Sequence, residues 1–445
     1  MKYTFTALSL LASAMAQQAG TDQAENHPKL SWQRCTSSSC SNVNAEVVID
    51  ANWRWAHNVG GWQNCYEGNQ WTGLCNGDVD CAKNCAVEGA DYGATYGVST
   101  SGNALTLKFV QEHQYGRNVG SRMYLMNGSS KYQMFQLLNN EFAFDVDLST
   151  VECGMNSALY FVPMKEDGGL SSEPNNNAGA KYGTGYCDAQ CARDLKFING
   201  RGNIAGWKPS STDVAAGVGN LGACCSEIDV WESNKYAYAL TPHPCLDNEY
   251  HVCHTNTCGG TYSDDRYGGG CDANGCDYNP YRMNNQNFYG PGLTIDTNRK
   301  FTVITRFEAD GMYQVFKQDG NTITVPGAKW DGIPETDRLT DDFCRAAPIV
   351  FDERDRYNEV GGLPQLNNAL QLPMVLVMSI WSDHYANMLW LDSIYPPHKK
   401  GEPGALRGPC PEDSGVPADV IRDFPNSQVV WSNIRFGPIG STHAT

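Results

Sequence analysis

Apolar and polar positions alternate in short runs from one end of the chain to the other. The pattern is clearest in "ALTLKFV", "FAFDVDLS", "KFTVITRFEAD" and "QVVWSNIRF". A period of two puts one face of a strand against a core and the other toward solvent. "AEVVIDANWRW", "SALYFVPM" and "MVLVMSIW" read as further strands, and "FKQDGNTITV" as a hairpin turning at Asp319-Gly320. Few stretches carry a helical period. Long segments rich in Gly, Asn, Asp and Cys separate the strands at 165–220 and 245–295. Loops this long are usually functional or stapled. The pattern predicts one domain, an antiparallel β-sandwich with large stapled loops, although length alone would allow two or three domains.

The first residues change the picture of the compartment. Lys2, the apolar run "FTALSLLASA" and the small residues Ala14-Met15-Ala16 read as a secretory signal peptide over 1–16. A single domain over 17–445 is then expected, secreted and extracellular, with no later stretch long enough to span a bilayer. All 18 cysteines follow the signal, an even number that an oxidising compartment would pair. The net charge of −17 argues against nucleic acid and anionic membranes as partners. Asn127-Gly128-Ser129 is a sequon that would suit either a glycan or a plain turn.

The chemistry concentrates in "CCSEIDVWESN", Cys224 to Asn234, with Glu227, Asp229 and Glu232 inside six residues. A solvated acidic edge, a metal site and a catalytic set are the alternatives. In a strand, Glu227 and Asp229 share a face, and Glu232 falls on the other. One extra residue near Val230-Trp231, a β-bulge, would return Glu232 to the face of the other two. Two glutamates could then reach the roughly 5–5.5 Å separation of a retaining glycosidase pair. Calcium fits poorly, because "DANGCD" has its glycine misplaced and Met283 where a bidentate acid is needed. "HVCHTNTC" suggests zinc, but Cys253 and Cys258 are better read as a disulfide. No G-x-S-x-G and no H-E-x-x-H occurs. The 11 tryptophans favour a sugar cleft, since a flat indole stacks on the apolar C–H face of a pyranose. Trp53 and Trp55 read as sharing one strand face, with Arg54 beside them, and Trp381 and Trp390 bracket "SDHYANML".

"CCSEIDVWESN" followed by "ALTPHPC" resembles the catalytic signature of glycoside hydrolase family 7, the secreted cellulases. The resemblance runs through "AENHPKLSWQRC", "GAKYGTGYCDAQC", "CGGTYSDDRYGGGCD", "ANMLWLDSIYP", "GALRGPC" and "SNIRFGPIGST", so it covers essentially the whole mature chain. It implies a concanavalin-like jelly-roll of two antiparallel sheets with a substrate tunnel or cleft. Carried over by position, Glu227 resembles the nucleophile and Glu232 the acid/base. Asp229 resembles the acid bonded to the nucleophile, and His243 the histidine near the acid/base. Trp55 resembles the platform at the tunnel mouth, with Trp53, Trp381 and Trp390 deeper in. Arg122, Asn156, Tyr160, Tyr186, Asp188, Gln190, Lys196 and Tyr262 match the substrate path. Arg266, Asp277, Arg282 and Arg407 match the product side. No cofactor and no metal is implied, and the partners are cellulose and cello-oligosaccharides, met by a monomer.

The long loop "CGGTYSDDRYGGGCDANGCDYNPYRMNNQNFYGPG" resembles the cover of the cellobiohydrolases, which implies processive release of cellobiose from reducing ends. An open-cleft endoglucanase is the alternative within the family, and a lectin-like glucan binder the alternative of another class. The chain departs from the family pattern in places. Gly20 and Ala86 stand where many members have a cysteine pair, which implies a less tethered N-terminus. Asn274 stands where Asp is frequent. Ser382 and His384 replace residues commonly Asp and Tyr beside the cover. The chain reads as a catalytic domain alone, with no linker or carbohydrate-binding module expected after "FGPIGSTHAT".

Overall fold

A computed structural model describes residues 17–443; the signal-peptide reading lies outside them. Eleven long strands carry the architecture. They are β1 (Lys29–Cys35), β2 (Cys40–Ile49), β3 (Ser121–Asn127), β4 (Asn140–Asp147), β5 (Met155–Val162), β6 (Glu227–Ser233), β7 (Tyr238–His243), β8 (Phe301–Glu308), β9 (Gly311–Gln318), β10 (Met374–Ser382) and β11 (Gln428–Pro438). One leaf of the sandwich runs β2-β3-β10-β5-β6-β7, every pair antiparallel. The other runs β11-β4-β8-β9, also antiparallel. The two leaves meet through β1, which pairs antiparallel with β2 and parallel with β11. That parallel contact is the exception to the expected antiparallel sheets.

The core lies between the leaves. Trp32, Phe142, Phe144, Leu159, Phe161, Ile228, Val230, Trp231, Phe316 and Trp431 belong to one buried cluster. A second cluster lies under the long loops, on the opposite face of the β3-β10-β5 leaf, with Tyr124, Tyr160, Tyr186, Val375 and Val377. The leaf that bears the carboxylates is therefore covered on both faces, which is why its strands read as nearly continuous apolar runs.

The stapling expected from cysteine parity is present: nine disulfides and no free cysteine among the described residues. Cys187–Cys225 and Cys191–Cys224 anchor the 165–220 loop to the start of β6. Cys245–Cys271 and Cys276–Cys344 fix the 245–295 loop, and Cys253–Cys258 removes the zinc reading. Asp319 and Gly320 both take positive φ in the hairpin after β9, as its turn type requires.

Two expectations are corrected. "AEVVIDANWRW" is a strand only as far as Ile49. Asp50 accepts the N–H of Asn52 and starts a short 3₁₀ turn over Ala51–Trp53, so Trp53 and Trp55 share no strand face. Arg54 is not a cleft residue, since it is buried and paired with Glu25 at 2.6 Å. The helices Asp341–Val350 and Gly362–Leu370, each with a buried apolar side, were not visible as periodic runs. At the N-terminus, backbone pairing joins the segments that hold Gly20 and Ala86. Gln18-Ala19 pair with Ala86-Val87, and the Glu88 carboxylate accepts the N–H groups of Asp22 and Gln23. That segment is therefore held by hydrogen bonds and not by a disulfide.

Candidate active site

The bulge exists and does what the carboxylates need. Against β5, Trp231 faces Leu159 and Asp229 faces Tyr160, so Val230 is the extra residue. Against β7, the register slips over the same interval. Val230 and Trp231 both go into the inter-sheet core, and Glu227, Asp229 and Glu232 are left on the loop-covered face. All three are at least nine-tenths buried.

Each acid has a distinct set of partners. Glu227 accepts the Ala189 N–H at 3.1 Å, a donor placed there by the disulfide-stapled loop. Glu232 accepts a hydrogen bond from Asn156 Nδ2 at 3.0 Å, and the Asn156 carbonyl takes the N–H of Ser233. Asp229 meets His243 Nε2 at 3.0 Å. His243 lies opposite Glu227 in the ladder, and its Nδ1 donates to the Asp272 carbonyl at 2.8 Å. A carbonyl only accepts, so the Asp229–His243 contact needs one proton held on either Nε2 or the carboxyl.

Burial raises the pKa of all three acids, and the neighbouring acids add to it for Glu227 and Asp229. Glu227 is pushed well up, first by burial and then by Asp229 and Asp188. Asp229 is pushed well up by burial and by Glu232. Glu232 is pushed up to about 7 by burial, which outweighs the opposing pull of His243 and of the Asn156 bond. Asp188 is raised to about 6, again by burial first. Such a cluster holds protons at neutral pH where isolated carboxyls would have lost them.

The other sequence-derived residues fall into three groups. The first lies against Asp50. The Arg122 guanidinium sits 3.3 Å over the Tyr186 ring and 5.3 Å from Trp53, and it donates to Asp50. Tyr160 and Tyr186 join through their hydroxyls at 3.0 Å. Lys196 donates to the Asn52 carbonyl, and burial lowers its pKa to about 8.

The second group supports the loops. Gln190 donates to the Ala273 carbonyl and accepts from Thr261. Arg266 donates to Asn274, Thr261 and Ala273. Asn274 thus serves as a neutral partner where an aspartate would add charge. In the third group, Arg282 and Arg407 share Asp277 and Glu353. Burial opposes the ionised form of Asp277, but the two arginines hold its pKa below the usual range.

Trp381 and Trp390 lie 6.4 Å apart and tilted by 31°. Trp390 Nε1 donates to Asp383, a residue the sequence reading missed. Glu353 was missed as well; nothing near it in sequence marks it. Asn156, expected along the substrate path, bonds Glu232 and Ser233 through its side-chain amide.

Two distant segments meet above this face. Tyr262 packs edge-on against Tyr385 at 5.4 Å. His384 Nδ1 donates to the Thr212 carbonyl at 2.8 Å, and its Nε2 lies 3.7 Å from Asp213. His384 therefore bridges the 207–219 and 382–388 segments.

A structure of a cellobiohydrolase from Melanocarpus albomyces complexed with cellotetraose is 66% identical, with a TM-score of 0.94 over 96% of this chain and 99% of that one. A family 7 cellobiohydrolase from Daphnia pulex is 45% identical, with a TM-score of 0.94 over 96% and 100%. The Humicola insolens endocellulase EGI is 35% identical, with a TM-score of 0.80 over 96% and 100%. The family described as glycosyl hydrolase family 7 matches residues 19–443, and the chain belongs to it.

Proposed function

We propose that this chain is a retaining cellobiohydrolase that cuts β-1,4-glucosidic bonds of cellulose and releases cellobiose from reducing ends. The observation that carries the proposal is the bulge, which sets Glu227, Asp229 and Glu232 on one buried face with separate partners. Glu232, protonated below about pH 7, gives its proton to the leaving oxygen. Glu227 has a backbone N–H aimed at it and attacks the anomeric carbon. The proton held between Asp229 and His243 neutralises one charge beside the nucleophile, so Glu227 can be the ionised member of the set. Once the glycosyl-enzyme forms, the Glu227 charge is gone. Glu232 then loses its proton more easily and can take one from the incoming water. Two inversions retain configuration.

The bridges at Tyr262–Tyr385 and His384–Thr212 favour a covered path over an open cleft. The higher identity to the cellobiohydrolases than to the endocellulase points the same way. Glu232→Gln should abolish release of reducing ends from amorphous cellulose while cello-oligosaccharides still bind. Turnover that survives the change would overturn the assignment. In the wild type, most new ends should be soluble and cellobiose should dominate. A large insoluble fraction would favour the endoglucanase reading.

A further inference from the structure

One large aromatic side chain stands outside the site described. Trp62 is 72% exposed, although it lies on a well-bonded turn. Its ring centroid is 5.8 Å from that of Trp55, with the planes tilted by 40°. Trp55 is only partly buried. One face of its indole is covered by the His57 ring at 4.0 Å, and its Nε1 donates to Asn64 at 2.7 Å. His57 thus backs the Trp55 indole, and the exposed Trp62 ring lies beside it.

The turn that presents Trp62 is held in place. Gly61 N–H donates to the Asn58 carbonyl, Asn58 N–H to the Gln63 carbonyl, and Gln63 N–H to the Asn58 side chain. His57 Nδ1 donates to the Gly61 carbonyl at 2.7 Å, and its Nε2 meets the buried Glu88 carboxylate at 2.9 Å. The ring under Trp55 and the turn under Trp62 are thus one framework. A rigid aromatic loses little freedom on binding. From Ala56 to Cys65 the only ionisable side chain besides the cysteine is His57, which is buried. Exposed Asp22 and buried Glu88 gather at His57, and a neutral polymer with apolar C–H faces and many hydroxyls would find two indoles and several amides.

We propose that Trp62 and Trp55 form an aromatic ledge that docks a neutral β-1,4-glucan chain before it enters the catalytic face. The proposal rests on the cellulase reading above and adds Trp62 as a binding residue for insoluble substrate. It is tested with Trp62→Ala in the full chain, by adsorption to crystalline cellulose and turnover of a soluble aryl cellobioside. Loss of about half an indole's burial should lower adsorption, and the rate on crystalline cellulose, by about 3- to 10-fold. Cellobioside turnover and the melting temperature should not move, and Trp62→Tyr should restore most of the adsorption. Unchanged adsorption would overturn the proposal. An equal loss of adsorption to polystyrene beads would also overturn it, because the residue would then be merely adhesive. A wild-type protein inactive on both cellulose and cellobioside would instead refute the cellulase reading itself.

Discussion

Replacing Asn156 with alanine should move the basic limb of the pH–rate profile upward. The buried Asn156 amide donates to Glu232 Oε1 at 3.0 Å, and this bond favours the ionised carboxylate. Glu232 already sits at about 7 because burial outweighs that bond and His243. A hydrogen bond to a charged group is worth about 1.5–3 kcal/mol, so its loss could raise the pKa by about 1–2 units. Water entering the vacated space would return part of that, so a shift of about one unit is expected. The acid must be protonated to act, hence activity should persist to higher pH in the variant. The assay is kcat on a soluble cellobioside between pH 4 and 9. Alanine also orphans the Ser233 N–H, which should cost about 1–3 kcal/mol of stability. Rates are therefore compared well below the melting temperature. A limb that stays put, or moves to lower pH, would refute the assignment of Glu232 as the acid whose pKa Asn156 lowers.

Two further outcomes follow from the same site and core. Inserting one alanine between Trp231 and Glu232 shifts the strand parity, so Glu232 should turn to the inter-sheet face; cellobioside turnover should vanish while far-UV circular dichroism stays sheet-like, and retained turnover would show that the parity set by the bulge is dispensable. Thermal stability should peak near about pH 4–5 and fall on both sides, followed by calorimetry across pH 2–9. Glu232 and Asp392 sit at about 7, above the usual carboxyl range, so the native state keeps protons that the unfolded chain has lost. That difference costs up to about 3 kcal/mol for Glu232 and about 4 kcal/mol for Asp392 as pH rises from about 4 to 7. On the acid side, burial of Glu25 is outweighed by its bonds to His27 and Arg54. Its pKa is held at about 2, and its contribution is lost as pH falls below about 4.5. A stability that rises steadily from pH 5 to 8 would contradict both carboxyl placements.

The bulge was legible in the sequence because parity is a local property. Two acids at i and i+2 and a third at i+5 can share a strand face only if one residue is added, and Val230 and Trp231 are both apolar enough to enter the core. The disulfide count was legible for a similar reason, since an even number of cysteines in an oxidising compartment leaves none free; the pairing of distant Cys276 with Cys344 was not. The turn at Trp53 was hidden because it depends on one side chain, Asp50, closing onto the N–H two residues on. Glu353 and Asp383 were hidden because each matters only through a partner far away: Arg282 and Arg407 for the first, while the second fixes a tryptophan seven residues on, across a turn. The protonation of the site is the deepest case. Whether Glu227 can be ionised depends on a proton between Asp229 and His243. That proton depends in turn on His243 Nδ1 being committed to the carbonyl of Asp272, in a loop tied down by Cys245–Cys271. The residues of the reaction can be read along β6, but the charge they carry is set by a backbone oxygen in a loop that the strand pattern does not describe.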